Sequence, residues 1–117
     1  MTRATRGLAA TGAAFCALAV ALGAYAMHGG LTPHGHERLA LAALFLFAHG
    51  LALAALAPAS VTRWRSIGLC IVLVGTLLFC GSLVLAALAG FEPVLAPLGG
   101  SLLIAGWLVV AVGMLSG

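Results

Sequence analysis

Histidine is the residue type in this sequence with the widest chemistry, and the chain has four histidines but few groups to work with them. Histidine transfers protons near neutral pH and binds metals such as zinc and copper. The chain has no Asp and no Lys, and its only carboxylate side chains are Glu37 and Glu92. A Ser-His-Asp triad is therefore excluded, no two carboxylates share a face, and no phosphate-binding glycine loop is present. We predict that the protein is not an enzyme and needs no cofactor.

His49 stands out because it lies deep within a long apolar stretch. A helical rise of about 1.5 Å per residue places it roughly 16 Å from the outer end of its helix, near the middle of a bilayer. An ionisable side chain at that depth is a functional candidate by default. We favour a simpler interpretation, since no acidic residue lies there to complete a proton relay. In it, a neutral imidazole faces the protein interior and hydrogen-bonds to Thr76 or the Trp107 indole, which fall at the same depth.

A second polar layer, formed by Tyr25, His28, Ser82 and Ser101, is predicted close to the outer surface of the membrane. His28 and Ser82 could act together on a lipid. A Ser–His pair without an orienting carboxylate is a poor catalyst, so an enzyme of this kind is the least favoured hypothesis. His28 also lies roughly 15 Å from His49 along the membrane normal, which excludes the two as joint ligands of one haem iron.

The outer histidines His28, His34 and His36, together with Glu37, could bind a transition metal such as zinc or copper. Spacing alone does not define such a site. We therefore expect a solvated loop here and predict no metal centre, with weak metal binding at the outer face as an alternative.

The three cysteines, Cys16, Cys70 and Cys80, all lie within apolar stretches. Their number is odd and no Cys-x-x-Cys pair is present, so neither a redox motif nor a disulfide framework is indicated. We interpret them as small packing residues.

Four membrane-spanning helices must position these side chains. Of the 117 residues, 64% are hydrophobic and 6% are charged, whereas a soluble domain carries about 25% charged residues. This composition excludes a soluble domain, a disordered chain and a nucleic-acid binder, which needs a basic face. Each of four long uncharged stretches can hold one helix of about 20 residues and none can hold two. The stretches are residues 7–36, 39–62, 66–91 and 93–117.

We predict an all-α membrane protein, an antiparallel four-helix transmembrane bundle that forms a single domain over residues 1–117. The links between spans are short, which makes neighbouring helices antiparallel. The predicted links are His28–Glu37, Pro58–Arg65 and Gly90–Ala96. The predicted spans are approximately Gly7–Met27, Arg38–Ala57, Ser66–Ala89 and Pro97–Leu115.

Arginine predicts the orientation of the bundle. Arg3, Arg6, Arg63 and Arg65 share one side and only Arg38 lies on the other. Because basic residues stay in the cytoplasm, we expect a multi-pass protein of a bacterial-type cytoplasmic (inner) membrane, with both termini cytoplasmic. The N-terminal stretch also resembles a secretory signal. Its apolar run of about 20 residues exceeds the roughly 7–15 of a signal core, so we expect a retained helix.

Small residues recur every seven positions in each span, a period that keeps one stripe facing a partner in a left-handed supercoil. Small side chains let helix backbones approach closely in lipid. We predict close packing of the third span on the fourth through glycine stripes. Those glycines are Gly68 and Gly75 in the third span and Gly99, Gly106 and Gly113 in the fourth. The corresponding positions elsewhere are Ser82 and Ala89 in the third span, Ala43, Gly50 and Ala57 in the second, and Ala10, Ala17 and Ala24 in the first.

Four segments of the chain carry a resemblance to a known family. Gly23–His28 (GAYAMH) resembles that family's Gly-Ala-Phe-Gly-Ala-His, and Ala48–Leu53 (AHGLAL) resembles its Tyr-His-Ala-Leu-Ala-Leu. Leu78–Leu83 (LFCGSL) resembles Leu-Phe-Ser-Gly-Ser-Leu, and Pro97–Gly100 with Gly106-Trp107 resembles Pro-Leu-Gly-Gly and Gly-Trp. The chain thus resembles the small membrane family called domain of unknown function 423, which includes transmembrane protein 256.

The resemblance implies a protein with four spans and implies no particular activity. Its signature positions here would be His28, His49, Gly81, Ser82, Pro97, Gly99, Gly100 and Trp107. Three positions depart from the family pattern, and each change removes a polar group. Leu46 stands where the family often has Gln, Cys80 where it has Ser, and Ala96 where it has Thr.

Two functional hypotheses rank above the enzyme. The first is a structural or partner-binding membrane subunit that packs in a homo-oligomer or a larger membrane complex. The second is a small transporter or channel for a lipid, a weak acid or a proton, with His49 as the gating group. The expected environment is the lipid bilayer, without nucleic acid.

Overall fold

The computed structural model of the protein describes residues 2–59 and 62–116, and within these ranges it contains helices and no strand. Each of the four helices is long and apolar enough to cross a membrane. The prediction of an all-α bundle of four membrane-spanning helices is therefore confirmed. The helices are α1 (Arg3–His28), α2 (Pro33–Leu56), α3 (Arg63–Ala89) and α4 (Ala96–Ser116).

Helix α2 begins earlier than the span predicted from Arg38. The hydroxyl oxygen of Thr32 accepts a hydrogen bond from the Gly35 backbone N–H at 3.1 Å, and Pro33 occupies the first turn. Both residue types favour a helix start at these positions. His34 and His36 therefore lie on the first turn of α2 and not in a loop.

Helix α3 has well-defined signals at both ends. The Thr62 hydroxyl accepts from the Arg65 backbone N–H at 3.3 Å. The helix stops at Gly90, whose φ of 76° is left-handed and suits glycine. Of the link predicted over Pro58–Arg65, residues 60 and 61 lie outside the described residues.

The helices pack as two hairpins joined along one seam. α1 packs along α2, α3 packs along α4, and the hairpins meet mainly through α2 and α3. α1 reaches α3 over a short stretch, whereas in the described part of the chain the α4 backbone does not approach that of α1 or α2. The long axis of 47 Å exceeds the roughly 30 Å hydrocarbon core of a bilayer. Because α4 stays clear of α2 and α1 meets α3 only briefly, a groove lies on each side of the α2–α3 seam in the described structure.

Glycines allow the close packing of α3 on α4. Gly68, Gly75, Gly99, Gly106 and Gly113 are all buried and face the opposite helix. A Cβ atom on Gly106 would lie 2.8 Å from the Cγ2 of a facing valine and 3.0 Å from its backbone nitrogen. These distances leave no room for a side chain, so the glycines fix the spacing of the hairpin.

The α1–α2 hairpin uses a different pattern from the one predicted. Its closest crossing is Gly12 against Gly50, where a Cβ on Gly50 would lie 2.6 Å from the Gly12 carbonyl oxygen. The alanines of the seven-residue repeat in α1, namely Ala10, Ala17 and Ala24, are instead exposed. This repeat therefore does not form the contact with α2, where the glycine at position 12 permits a closer approach than alanine.

Candidate functional site

The groove between α2 and α4 surrounds His49 and has a volume of about 600 Å³. Helix α3 forms its floor with Phe79, and Gly100 of α4 lies against this ring, where an added Cβ would be 3.8 Å from Phe79 Cδ1. We call this cavity the His49 groove. Its lining residues are Phe45, His49, Phe79, Gly100, Leu103, Ile104, Trp107 and Leu108.

One turn of α2 holds the His49 ring in place. Nδ1 lies 2.8 Å from the Phe45 carbonyl oxygen, four residues earlier on the same helix. Because a carbonyl oxygen only accepts, Nδ1–H must donate, and the neutral ring keeps an acceptor lone pair at Nε2. The imidazole also stacks on the Phe45 ring, with centroids 5.5 Å apart and planes at 17°. His49 is therefore oriented by its own helix, and Nε2 remains available.

Trp107 faces His49 from α4. The two ring centroids are 5.9 Å apart and tilted by 51°. Indole N–H is a donor only. Within residues 2–59 and 62–116, neither Trp107 Nε1 nor His49 Nε2 has a hydrogen-bond partner. The otherwise apolar lining of the His49 groove thus includes one residue with an unpartnered acceptor and one with an unpartnered donor.

Thr76 does not hydrogen-bond to His49, so that part of the sequence interpretation is wrong. Its hydroxyl donates to the Val72 carbonyl oxygen at 2.7 Å, one turn earlier in α3, which is a common arrangement for threonine in helices. Trp107 contacts the imidazole through its ring, without a hydrogen bond. Neither of the two predicted polar partners therefore satisfies His49 with a hydrogen bond.

Thr76 instead borders the other groove, between α1 and α3, which we call the Thr76 groove. This cavity has a volume of about 340 Å³. Its remaining walls carry leucine, valine, phenylalanine and cysteine side chains and the backbone of Gly81. Because the Thr76 hydroxyl is bonded within its own helix, the groove offers a ligand no free hydroxyl from a described side chain, and the Cys80 thiol is only a weak donor.

The outer polar residues do not assemble into a site. His28 is exposed at the end of α1, Ser82 is buried in α3, and no hydrogen bond joins them in the described structure. His36 Nδ1 lies 2.8 Å from the Ala26 carbonyl oxygen and ties the start of α2 to the end of α1. His36 therefore contributes to the helix junction.

The outer histidines His28, His34 and His36 do not lie together in the described structure. Across the described residues, no three His, Cys, Asp or Glu side chains come together as a metal-binding group. The reason is the early start of α2. Helical residues two apart point in different directions, so His34 and His36 cannot converge on one ion.

The cysteines are free thiols at three levels of exposure. Cys80 is buried, Cys16 is partly buried and Cys70 is exposed. The Cys16 thiol lies 3.6 Å from the Phe47 carbonyl oxygen and links α1 to α2.

Sequence reasoning found His49 and Trp107 but missed the aromatic residues that frame them. Phe45 stands four residues before His49, so the two share a helix face, and this spacing was the available signal. Phe79 contacts Phe45 across the seam, with ring centroids 4.7 Å apart. No local spacing predicts that contact, because it depends on how α2 and α3 are rotated.

Comparison with known families gives a match over residues 19–100 to a model described as "Protein of unknown function (DUF423)". The matched segment covers most of the chain, including His28, His49, Thr76 and Ser82, and ends before Trp107. No solved structure matches the chain.

Proposed function

This chain belongs to the DUF423 family of proteins of unknown function, and we propose that it is a non-catalytic membrane protein that binds an amphipathic molecule from the lipid phase in the His49 groove. The observation that carries this proposal is the pair of unpartnered groups, His49 Nε2 and Trp107 Nε1, on one apolar cavity. A hydrocarbon environment supplies no alternative hydrogen bonds, and each unsatisfied group is costly there. A ligand that satisfies both groups therefore gains binding free energy.

The size and lining of the groove suit a small ligand. Its volume of about 600 Å³ falls within the roughly 300–1,000 Å³ typical of ligand sites, which are mostly apolar with a few placed polar groups. A partner helix, about 10–12 Å across with its side chains, would fill the groove only with side-chain tips. Ile104 and Leu108 on the rim are 67% and 64% exposed, so the groove opens sideways towards lipid.

The polar pair narrows the ligand class. The ligand must donate to His49 Nε2 and accept from Trp107 Nε1, as a hydroxyl or a protonated carboxylic acid does. Trp107 lies near the middle of α4 and the His49 ring lies against it, so the rest of the molecule must be apolar to reach them. A long-chain alcohol or a weak acid in its neutral form meets both conditions.

Photo-crosslinking in proteoliposomes tests this proposal. The probe is a long-chain fatty acid that carries a diazirine and an alkyne, added to protein in phosphatidylcholine vesicles. We expect labelled peptides from α2 and α4, and at least a fivefold loss of labelling in both His49→Phe and Trp107→Phe, which keep an aromatic ring. Unchanged labelling in these two variants would overturn the proposal.

Thr76→Val is the matched control, because it removes a polar group at a similar depth from the Thr76 groove. Labelling in this variant should equal that of the unaltered protein. Equal losses in Thr76→Val and His49→Phe would mean that the probe reports general damage and would count against a specific site.

Self-association as a membrane subunit is a second candidate, favoured by the outer face of α1. Small residues at alternating spacings of four and three form an exposed stripe there, and small stripes let helices of different chains approach closely in lipid. The stripe consists of Ala10, Ala14, Ala17, Ala21 and Ala24. Energy transfer between labelled copies in liposomes should fall with Ala17→Leu and not with Ala111→Leu, the same change on the exposed face of α4; equal signals would argue against it.

A further inference from the structure

The two ends of the bundle carry opposite kinds of charge. Arg3, Arg6, Arg63 and Arg65 all lie at the end where α1 and α3 begin, whereas Glu37 and Glu92 belong to the other end together with a single arginine, Arg38. No acidic side chain is present at the arginine end to neutralise the guanidinium groups. This end therefore attracts anions.

A small apolar groove starts beside two of these arginines. Trp64, between Arg63 and Arg65, is 53% exposed. Its side chain forms one wall of a groove of about 190 Å³, and α4 forms the other with Leu108, Val109 and Val112. We call this cavity the Trp64 groove. It places an apolar surface for a hydrocarbon chain next to a cationic surface for an anionic group.

The local structure holds this junction rigid. The Thr62 hydroxyl donates to the Gly113 carbonyl oxygen at 3.4 Å, and a Cβ on Gly113 would lie 2.6 Å from the Arg65 backbone nitrogen. The start of α3 is therefore tied to the end of α4. Arg65 Nη1 donates to the Ala59 carbonyl oxygen at 3.3 Å, which orients its guanidinium. Little conformational freedom remains to be lost when an anion binds.

The Arg65 guanidinium also has a donor that no hydrogen bond of the described residues satisfies. Its Nε–H is buried and has no hydrogen-bond partner in the part of the chain that the structure describes. A buried donor without an acceptor is unfavourable, and a nearby negative charge reduces that cost for a guanidinium. Arg63 is exposed one position before Trp64 and can contact the same anion.

We propose that an acidic phospholipid binds at this junction, with its phosphate at Arg63 and Arg65 and one acyl chain in the Trp64 groove. The charge of the arginine end selects an anionic headgroup, since basic pockets beside membrane helices recognise such lipids. The apolar groove selects a lipid over a free phosphate, which has no chain to bury. This site is separate from the proposed function, because it uses neither His49 nor Trp107.

Lipid binding to the purified protein in detergent micelles, measured by native mass spectrometry, tests the proposal. The probes are dioleoyl phosphatidylglycerol and dioleoyl phosphatidylcholine. We expect the anionic lipid to bind at least tenfold more tightly, and glycerol 3-phosphate not to compete. Equal affinities for the two lipids, or full competition by glycerol 3-phosphate, would overturn the lipid assignment.

Charge-matched double variants locate the site. Arg63→Gln with Arg65→Gln should weaken phosphatidylglycerol binding at least tenfold, because it removes both cations that contact the phosphate beside the Trp64 groove. Arg3→Gln with Arg6→Gln removes the same charge from the same end but leaves the Trp64 groove intact, and should change binding less than threefold. Equal losses in both pairs would show general attraction by the arginine end and would overturn the site.

A variant that leaves every arginine in place tests the chain pocket. Val112→Phe fills the Trp64 groove at an exposed position, so it should weaken phosphatidylglycerol binding about fivefold without lowering the melting temperature. Undiminished binding in Val112→Phe would exclude an acyl chain from this groove.

Discussion

The His49 groove and the Thr76 groove lie on opposite sides of the same α2–α3 seam, yet they differ in how their polar residues are satisfied. The Thr76 hydroxyl donates to a carbonyl of its own helix, 2.7 Å away. His49 also bonds to its own helix, at 2.8 Å, but an imidazole has two nitrogens and the helix satisfies only one. The lesson is that depth alone does not make a membrane polar residue a binding group. Such a residue can bind a ligand when it keeps a donor or acceptor that its own helix does not satisfy.

The two grooves also differ in volume, about 340 Å³ for the Thr76 groove and about 600 Å³ for the His49 groove. α1 reaches α3 and partly closes the Thr76 groove, whereas the α4 backbone stays clear of α2 in the described structure. The rings of Phe45, His49 and Trp107 fill part of the space between α2 and α4. These aromatic rings therefore form the walls of the larger groove.

Detaching α4 would abolish the His49 groove and leave the Thr76 groove in place, because of the two only the His49 groove is lined by that helix. Gly106→Leu would force a side chain against Val72, because even a Cβ atom at position 106 would lie only 2.8 Å from Val72 Cγ2. We expect a loss of about 3 kcal/mol in unfolding free energy, at the upper end of overpacking costs. Thermal unfolding in detergent measures it. Gly100→Ala is the control, because its Cβ would meet Phe79 at 3.8 Å; an unchanged melting temperature in Gly106→Leu would contradict close packing.

Filling each groove in turn would show which of the two binds the photoprobe. Gly100 borders the His49 groove and Gly81 borders the Thr76 groove, and an added Cβ has ordinary contacts at the first and none within 4 Å at the second. Gly100→Leu should reduce photoprobe labelling about tenfold, since the leucine occupies ligand space. Gly81→Leu should leave labelling unchanged. The reverse result would move the binding site to the Thr76 groove.

The smallest expected effect concerns the satisfied hydroxyl itself. Thr76→Val removes one hydrogen bond within α3 and keeps the shape of the side chain. We expect a loss of no more than about 1 kcal/mol, the typical net contribution of such a bond. Equilibrium unfolding of the purified protein measures this. A loss of several kcal/mol would indicate that Thr76 bonds across the seam, and the contrast with His49 would disappear.

Much of the fold follows from the sequence because its signals are local. The spacing of the charges gives four helices, and the seven-residue repeat of glycine points to the α3–α4 contact. The start of α2 was misplaced because a run rich in glycine and proline reads as a loop, whereas Thr32 and Pro33 cap and start a helix. In α1, the sequence pattern drew attention to the alanine repeat, whereas the closest crossing with α2 lies at Gly12, outside that repeat.

The site was harder to predict, for a geometrical reason. Helical rise converts position into height, and it predicted similar heights for His49 and Trp107, whose rings do contact each other. It does not fix the direction in which each side chain points around its helix axis. Thr76 and Trp107 line different grooves on the two sides of the seam, and only the rotation of α3 and α4 decides which of them meets the imidazole.

Leu108 lines both the His49 groove and the Trp64 groove. A shared wall makes two binding equilibria parts of one thermodynamic cycle. Whatever factor a lipid chain beside Trp64 imposes on affinity at His49, a ligand at His49 imposes the same factor on the lipid. A membrane rich in anionic lipid and one without it would then give different dissociation constants for the same protein, and the ratio of the two would measure the coupling through one leucine side chain.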